Sequence, residues 1–445
     1  MRALDDSGAA VPWWFAYKLP SSLYGYSEKE GPFDPFKHPR KKHPLGDDGH
    51  RYLFFKAGDE ELALSACELD ADRGKPGAIT HTLAQLFGPS VPETVGYIAY
   101  NDEFPKPGDL VDPHAACCEG KNNGGYGHNK GVLAFDVADG SAIWLIHSFP
   151  RWPAPGQTFF PNHEGCSRLK FGQSFLCISL KDLKTVDLIA WMMRRFHEPQ
   201  IIHAKLPKPG AQPEVGGVLA ELYELAKENA PGQPPPASRG NRFDTAELAG
   251  ELTFQAWSPQ GVPPTTTTFH LFAKGRDWGE DFWIDLVSHR LGIDLLTETW
   301  RRDSRDQRKP TALHTPSGSD GEGDVVEDAF VVRFAALNCY FNEYADHAKW
   351  AVGKDGCCPQ VCVGDINRQS SQTKRGGGAV VFTDNKLADE LRKSLWLTDR
   401  ERAGKAKIKL DGAGHEIAGS DEEERQKQDR ERDKQREAQG KPGPV

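Results

Sequence analysis

Two stretches of the chain share one layout: GHNKGVLAFDVADGSAIWLIHSFP (127–150) and ADHAKWAVGKDGCCPQVCVGDINR (345–368). Each contains a His-x-Lys motif, formed by His128 and Lys130 in the first stretch and by His347 and Lys349 in the second. An apolar run, an Asp-Gly pair and a second apolar run follow in both. Asp-Gly between two β-rich runs is a strong signal for a β-hairpin. The offset of 219 residues (347 − 128) therefore predicts one structural unit that the chain uses twice.

Outside these hairpins the chain alternates short β-rich runs with a few helical segments. Aromatic and β-branched runs bounded by Gly, Pro or Asp predict strands at 13–18, 52–55, 96–100, 131–137, 143–147, 175–180, 252–257, 268–273, 330–337, 350–352, 361–365 and 379–383. Helical spacing predicts helices at 186–196, 218–229, 281–291 and 386–396, with Thr185 and Asn385 as the N-caps of the first and the last. The pattern indicates an α/β fold in two halves.

Proline-rich stretches and a change in charge mark the domain boundaries. The segment 206–244 contains PKPGAQP and PGQPPPAS, which predicts two linkers around one amphipathic helix. We place the N-terminal half at 1–205 and the C-terminal half at 245–400. Residues 304–323 are predicted to form a polar loop. Residues 401–445 contain 11 acidic and 11 basic residues without an apolar stripe, which predicts a disordered tail.

Composition excludes several classes of protein. Of the 445 residues, 38% are hydrophobic and 27% are charged, which allows a sizeable core. The formal net charge of −9 argues against a general polyanion binder. No apolar run of about 18 residues occurs, so no membrane-spanning helix is predicted. The start, MRALDDSGAAVPWW, does not read as a signal peptide, and nine irregularly spaced cysteines do not read as a disulfide framework. We expect an intracellular, mostly reduced protein without a membrane partner.

The two His-x-Lys motifs carry the strongest chemical signal. Residues i and i+2 of a strand project from the same face, so each motif directs an imidazole and an ammonium into one pocket. One imidazole can attack phosphorus and the other can protonate the leaving oxygen, while the two lysines hold the non-bridging oxygens. This set requires no metal and no other cofactor. A third His-x-Lys motif is formed by His203 and Lys205. We assign it to chance, because prolines follow it and no hairpin pattern does.

Several longer segments resemble the deoxyribonuclease II family, whose two His-x-Lys motifs place it in the phospholipase D superfamily. In the family's order they are DDSGAAVPWWFAYKLP (5–20), YIAYNDEFP (97–105), GHNKGVLAFD (127–136), IWLIHSFPRWP (143–153), FGQSFLCIS (171–179), FAKGRDWGEDFW (272–283), DHAKW (346–350) and CVGDINRQSSQTKRGGG (362–378). The resemblance implies two pseudo-symmetric phospholipase D-like halves, each a mixed β-sheet flanked by helices, with DNA as the substrate between them.

The resemblance also implies an activity, that of a metal-independent acid endonuclease that leaves 3′-phosphate ends on DNA. Its active-site quartet would be His128, Lys130, His347 and Lys349. Either histidine can be the nucleophile; His347 is the first choice, with His128 as the general acid.

Four other residues are candidates for support of the site or for phosphate binding: His147, Ser148, Asn367 and Arg375. Ser148 and Asn367 each follow a motif histidine by 20 residues, so either can donate a hydrogen bond to phosphate, with strand-end capping as the alternative. His147 either orients the site or is a hydrogen-bonded core histidine. Arg375 and the glycines after it form either an anion nest or a tight connection. Lys18 is expected to be exposed at a strand end, and the aromatic run 13–15 to be core.

Some features depart from the family or leave other functions open. Ala351 and Val381 stand where animal members carry disulfide cysteines, which fits a protein that is not secreted. A zinc site is disfavoured because vicinal cysteines suit tetrahedral ligation poorly; its ligands would be His114, Cys117, Cys118, Cys357, Cys358 and Cys362. The alternative functions are a DNA-binding protein with a decayed active site and a related phosphodiesterase on another substrate such as phospholipid. The sequence leaves open whether the protein forms a homodimer. DNA affinity is expected to rise in acid, because charging all 15 histidines would turn −9 into about +6.

Overall fold

Two large β-sheets form most of the protein, and they share one apolar layer. The computed structural model describes residues 1–27, 29, 31–35, 41–47, 49–69, 74–87, 90–105, 125–154, 167–207, 215–235, 248–259, 267–300, 325–398 and 401. The predicted loop 304–323, the tail beyond residue 401 and the flanks of the segment 206–244 lie outside these residues. Within the described part the architecture is mixed α/β, with several sheets and few helices, so the predicted fold class is confirmed in this coarse form.

The strands are, in chain order, β1 (Ala3–Leu4), β2 (Ala10–Val11), β3 (Trp13–Lys18), β4 (Tyr24–Gly25), β5 (Lys41–Lys42), β6 (Tyr52–Lys56), β7 (Ala63–Leu64), β8 (Val95–Tyr100), β9 (Gly131–Asp136), β10 (Ser141–His147), β11 (Gln173–Leu180), β12 (Ile201–Lys205), β13 (Ala249–Gln255), β14 (Thr268–Lys274), β15 (Leu295–Thr299), β16 (Val326–Phe334), β17 (Cys339–Asn342), β18 (Lys349–Gly353), β19 (Gln360–Gly364), β20 (Gly377–Thr383) and β21 (Leu395–Thr398). The α-helices are α1 (Ala78–Ala84), α2 (Leu183–Met192), α3 (Val215–Val218), α4 (Ala220–Glu228), α5 (His289–Leu291) and α6 (Asn385–Ser394). A π-helical segment, Met193–His197, continues α2, and another, Phe282–Ser288, precedes α5.

The two sheets repeat the same order of strands around the His-x-Lys hairpins. The first sheet runs β12-β8-β9-β10-β11-β3-β6-β7. The second runs β13-β14-β20-β19-β18-β15-β16-β17-β4-β5, with β21 beside β16. The antiparallel series β8-β9-β10-β11-β3-β6 matches the antiparallel series β15-β18-β19-β20-β14-β13 strand for strand. Both predicted hairpins, β9–β10 and β18–β19, are confirmed and occupy matching places in the two sheets.

Alternating side chains of β3 show how one sheet serves two apolar layers. Trp13, Phe15 and Tyr17 face the layer that the two sheets share, whereas the residues between them face a second layer that includes α1. The ring centroids of Trp13 and Phe382, which belong to different sheets, lie 4.8 Å apart. The prediction that the run 13–15 is core is confirmed, since all three side chains are buried.

The helix ends differ from the sequence expectation by a few residues. The carboxylate of Asp182 accepts a hydrogen bond from the N–H of Thr185, so Asp182 is the N-cap of α2 and the prediction of Thr185 is wrong. Asp384 caps α6 in the same way, and the prediction of Asn385 is wrong. In both cases the cap is an aspartate just upstream of the predicted residue, and aspartate is one of the residues preferred at this position. The predicted helix 218–229 is interrupted at Leu219 into α3 and α4.

Other differences concern strands. The predicted strand 330–337 begins at Val326 and ends at Phe334, where a 3₁₀ turn follows. The predicted helix 386–396 ends at Ser394 because the next residues form β21 against β16. Residues 201–205 form the edge strand β12, although no strand was expected there. Strand β15 was also missed, and it lies at the centre of the second sheet.

The N-terminal part of the chain also supplies an edge of the second sheet. Strand β4 pairs with β17, through Gly25 with Cys339 and Tyr24 with Tyr340, and β5 continues this edge. The second sheet therefore draws on residues far outside 245–400. Among the described residues, no helix is both long and apolar enough to span a bilayer.

Candidate active site

The two His-x-Lys motifs lie at the starts of β9 and β18, with Lys130 just before β9 and Lys349 as the first residue of β18, and each is fixed by backbone from the other sheet's part of the chain. The N–H of His128 donates to the carbonyl of Gly376, 2.8 Å away, and the N–H of His347 donates to the carbonyl of Gly172, 2.9 Å away. The packing is close: a Cβ on Gly127 would lie 1.8 Å from the carbonyl oxygen of His197. Only glycine allows this approach, so the first motif sits in a narrow, fixed position.

Two buried lysines hold the loops that supply those carbonyls. The Lys18 Nζ donates to the carbonyls of Leu19, Leu169 and Phe171, at 3.0, 2.8 and 2.7 Å. The Lys274 Nζ donates to the carbonyls of Gln372, Thr373 and Arg375, at 2.9, 3.1 and 2.6 Å. Burial lowers the pKa of Lys274 to about 8. The expectation that Lys18 is exposed is wrong, because the side chain is fully buried and its ammonium binds three backbone carbonyls.

The imidazole of His128 is oriented by a backbone carbonyl. Its Nδ1 lies 2.6 Å from the carbonyl oxygen of Asp365, which can only accept, so Nδ1 carries the proton in this contact. Nε2 is then the nitrogen with the lone pair. Burial, followed by the neighbouring Lys130 ammonium, holds the pKa of His128 well below its usual value. The structure therefore presents a neutral imidazole with a defined tautomer.

Asp102, which the sequence reasoning did not single out, pairs with the first motif. Its carboxylate lies 2.5 Å from the Lys130 Nζ and 3.5 Å from both the His128 Nε2 and an Arg375 guanidinium nitrogen. Burial opposes ionisation of this carboxyl, but Lys130, His128 and Arg375 together lower its pKa below the usual value. Asp102 is thus an ionised carboxylate among cations. Its only sequence signal was its place in the segment YIAYNDEFP (97–105).

Lys349 connects the two motifs electrostatically. Burial, followed by repulsion from Lys130, lowers the pKa of Lys349 to about 7. Lys349 also contributes to the lowered pKa of His128. Its Nζ donates to the carbonyl of its own neighbour His347, 2.5 Å away, and its N–H donates to the hydroxyl of Ser174, 3.2 Å away. The structure thus brings both motif lysines and His128 into one electrostatic centre.

The His347 imidazole lies between two aromatic rings. The ring of Phe171 stacks on it at a centroid distance of 3.9 Å, with the planes 20° apart. The Trp300 ring lies 4.1 Å from it and is tilted by 44°. These contacts fix the plane of the imidazole beside Lys349. Sequence reasoning had assigned no role to either aromatic residue.

Two buried aspartates flank the motifs. Asp346 accepts hydrogen bonds from the phenol of Tyr17, in the first sheet, and from the N–H of Ala348 at 2.9 Å. Burial raises the pKa of Asp346 to about 6. Burial likewise raises the pKa of Asp365 to about 8, so this carboxyl is protonated at neutral and acid pH. Both aspartates lie within segments that carry the family resemblance, yet no short-range pattern showed that they would be buried.

The supporting candidates divide into two kinds, of which the first is built into the sheet. His147 is buried, its Nδ1 accepts from the N–H of Phe149 at 3.2 Å, and burial holds its pKa well below the usual value. The Ser148 hydroxyl donates to Gln173 and accepts from the N–H of Ser174 at 3.0 Å. Both side chains therefore make hydrogen bonds at the end of β10, and their role in the site stays a prediction.

The second kind comprises Arg375, which lies at the centre beside Asp102, and Asn367, which is buried. Arg375 donates to the carbonyls of Tyr126 and Gly127, at 3.3 and 3.1 Å, and pairs with Asp102. The glycines at 377 and 378 belong to strand β20 and pair with β14. Asn367 is buried, and its Oδ1 has no hydrogen-bond partner within the described part of the chain.

The remaining candidates lie elsewhere. His203 contacts the carbonyl of Pro153 at 3.2 Å and packs against Phe87 and Tyr97, so the third His-x-Lys motif is apart from the centre, although it does lie on a strand. No cluster of three metal-ligating side chains occurs among the described residues. His114, Cys117 and Cys118 lie outside them. The cysteines that are described carry free thiols.

Comparison with known proteins identifies the class. The family model for deoxyribonuclease II matches residues 2–399, and the chain therefore belongs to the deoxyribonuclease II family. It is accordingly an endodeoxyribonuclease, a hydrolase of phosphodiester bonds, as the sequence resemblance indicated.

Individual relatives support this assignment over most of the chain. A deoxyribonuclease-2 relative from Burkholderia thailandensis is 32% identical over 384 residues, which is 86% of this chain and 89% of the relative. Deoxyribonuclease-2-alpha of Rattus norvegicus is 28% identical over 383 residues, 85% of this chain and 89% of the relative. Plancitoxin-1 of Acanthaster planci is 26% identical over 382 residues, 85% and 87% of the two chains.

Proposed function

We propose that this endodeoxyribonuclease cleaves DNA without a metal, through a histidine nucleophile, leaving 3′-phosphate ends and working best in acid. The observation that carries the proposal is the state of His128, whose Nδ1 is bound to a carbonyl while its Nε2 keeps a lone pair. A nucleophile needs that lone pair, and a neutral imidazole supplies it without assistance. His128 is therefore the proposed nucleophile, which reverses the first choice made from the sequence.

In the proposed reaction the His128 Nε2 attacks phosphorus and the P–O5′ bond breaks. His347 gives its proton to the departing 5′ oxygen, which leaves as a hydroxyl. Water then attacks the phosphohistidine, His347 takes the proton from that water, and the P–N bond breaks. The product is a 3′-phosphate, and both imidazoles return to their starting states. The stacked rings of Phe171 and Trp300 would hold the His347 plane through both proton transfers.

Lys130 and Lys349 would stabilise the charge that builds on the non-bridging oxygens. Both ammonium groups are buried, and burial strengthens their attraction for an oxyanion relative to water. Arg375 would add a guanidinium contact to phosphate, and Asn367 an amide contact. We assign His147 and Ser148 to support of the first sheet, because His147 accepts from the N–H of Phe149 just after β10 and the Ser148 hydroxyl donates to Gln173 of β11.

Two pKa shifts support activity in acid. The pKa of His128 is lowered well below its usual value, so the nucleophile stays neutral as the pH falls. The pKa of Lys349 is about 7, so its charge is lost as the pH rises through this value. The general acid His347 must carry a proton, which acid also favours. The neutral His128 and the charged Lys349 therefore coexist below about pH 7.

We further propose that the fold consists of two pseudo-symmetric phospholipase D-like halves, 1–205 and 245–400, around the segment 206–244. Three matched features support this proposal. The strand orders agree, each motif histidine donates its N–H to a glycine carbonyl, and each sheet carries a lysine that binds three carbonyls (Lys18 and Lys274).

The test is nicking of supercoiled plasmid in EDTA across pH 4 to 8, with analysis of the ends. We expect nicking below pH 7, lost in His128→Ala and in His347→Ala, and ends that a polymerase extends only after phosphatase treatment. His203→Ala is the matched control, because it removes the histidine of the third motif, and it should nick like the wild type. Activity that requires added Mg²⁺, or ends that are extended directly, would contradict the proposal.

A further inference from the structure

The carboxylate of Asp102 lies where three groups of the site converge. The Lys130 Nζ is 2.5 Å from one of its oxygens, and the His128 Nε2 and Arg375 are each 3.5 Å from the other. An ammonium and a guanidinium around one anion are the contacts that proteins use to bind phosphate. The ligand of this oxyanion site in the structure is the protein's own side chain.

The carboxylate is on the reacting side of His128. Nδ1 faces the carbonyl of Asp365, so Nε2 is the nitrogen left for chemistry, and Asp102 faces Nε2. A residue that merely oriented the imidazole would bind Nδ1, and that position is already taken. Phosphorus must approach Nε2 to within bonding distance, which the carboxylate in its present position prevents by steric overlap and by charge repulsion.

The backbone around Asp102 allows the side chain to leave. Its neighbour Asn101 is buried and anchored, since its amide donates to the carbonyls of Phe149 and Trp152 at 3.1 and 2.9 Å. Asp102 itself lies on a bend after β8, where no ladder hydrogen bond restrains it. We therefore assign withdrawal of the carboxylate to rotation about its own side-chain bonds.

The geometry points to Asp102 as a specificity-determining residue that occupies the scissile-phosphate subsite and must be displaced by the substrate. The inference rests on the proposed function of this site. When a single phosphodiester displaces the carboxylate, one negative charge replaces another, so little binding free energy is gained. A polynucleotide brings neighbouring phosphates that bind outside the subsite, and their binding contributes to the displacement. Asp102 therefore selects polymeric DNA over small phosphate compounds.

The test compares Asp102→Asn with the wild type. Asparagine keeps the shape and removes the competing charge, so we expect inorganic phosphate, measured by calorimetry, to bind on the order of tenfold more tightly. The ratio of kcat/KM for bis(4-nitrophenyl) phosphate to that for plasmid DNA should rise by a similar factor. Glu103→Gln is the matched control: it removes the adjacent carboxylate, which pairs with Arg151 instead, and should change neither quantity.

Phosphate binding is measured without turnover, so its outcome is independent of whether the protein cleaves DNA. DNA affinity is compared in His347→Ala and in His347→Ala/Asp102→Asn, where cleavage is blocked, and should be tighter in the double variant. Unchanged thermal unfolding of Asp102→Asn establishes that the variant is folded. Unchanged or weaker phosphate binding by a folded Asp102→Asn would overturn the inference and make Asp102 a positioning residue.

Discussion

Replacing Lys274 with methionine tests whether the buried ammonium holds the loop that fixes the first motif. Its three hydrogen bonds to carbonyls each contribute about 1.5–3 kcal/mol, or roughly 4.5–9 kcal/mol together. The penalty on the buried charge offsets part of this. The pKa falls from 10.5 to about 8, and 2.5 units correspond to about 3.4 kcal/mol. The expected net loss of stability is about 3 kcal/mol.

The pH dependence of the free energy of unfolding tests the same prediction in a second way. Because the folded-state pKa of Lys274 lies below the unfolded-state value, the unfolded chain binds more protons between about pH 8 and 10.5. The stability contribution of this residue therefore rises with pH across that window. Lys274→Met lacks the group, so the difference in stability between wild type and variant should widen from pH 7 to pH 10.

Urea unfolding followed by tryptophan fluorescence, together with kcat on plasmid DNA, measures the effect. We expect kcat to fall as well, because the freed loop includes Arg375 and precedes the Gly376 carbonyl that binds His128. Lys205→Met is the matched control, since that ammonium contacts one carbonyl at an exposed edge. A loss below about 0.5 kcal/mol, the level of an ordinary surface substitution, would refute the reasoning, and so would a destabilised variant with full activity.

Two further outcomes follow from the buried charges of the second motif. The activity of the wild type should decline above about pH 7, where Lys349 loses its charge. Lys349→Arg keeps a positive charge at all relevant pH values, so in a pH–rate profile this decline should move to higher pH. A variant profile with the wild-type decline would mean that another group causes it. Tyr17→Phe removes the phenol that donates to Asp346 and should raise the pKa of that carboxyl further above about 6. Since a raised carboxyl pKa costs stability as the pH rises through it, this variant should lose more stability at pH 7 than at pH 5 in urea titrations, whereas Tyr97→Phe should show no such difference.

The hairpins were predictable from sequence, and the quartet could be proposed from it, because the signals for both are local. Asp-Gly turns, alternating apolar residues and the His-x-Lys spacing are all contained within about 24 residues of each stretch. Strand β15 was missed because LLTET mixes apolar and polar residues, and its Glu298 reads as a surface residue although it is fully buried. Strands β4 and β5 are two residues long and exist only through pairing with distant chain.

The parts of the site that were missed depend on contacts between distant segments. Asp102 acquires its role from Lys130 and Arg375, and nothing within the segment 97–105 indicates that these cations will surround it. Lys18 reads as a surface residue until the turn near Phe171 supplies carbonyls for its ammonium. Long-range complementarity of this kind leaves no periodicity in a single sequence.

The reciprocal hydrogen bonds from His128 to Gly376 and from His347 to Gly172 bear on how the protein acquires its function during synthesis. Each histidine is held by backbone about 175–250 residues away in the chain, and the partner strand of β4 follows about 300 residues later. A ribosome that has released only the first sheet has therefore produced a folding unit with no completed reaction centre. The active site is complete only after nearly all of the polypeptide has emerged and the two sheets have docked. A protein with an assembled active site has therefore completed its whole fold.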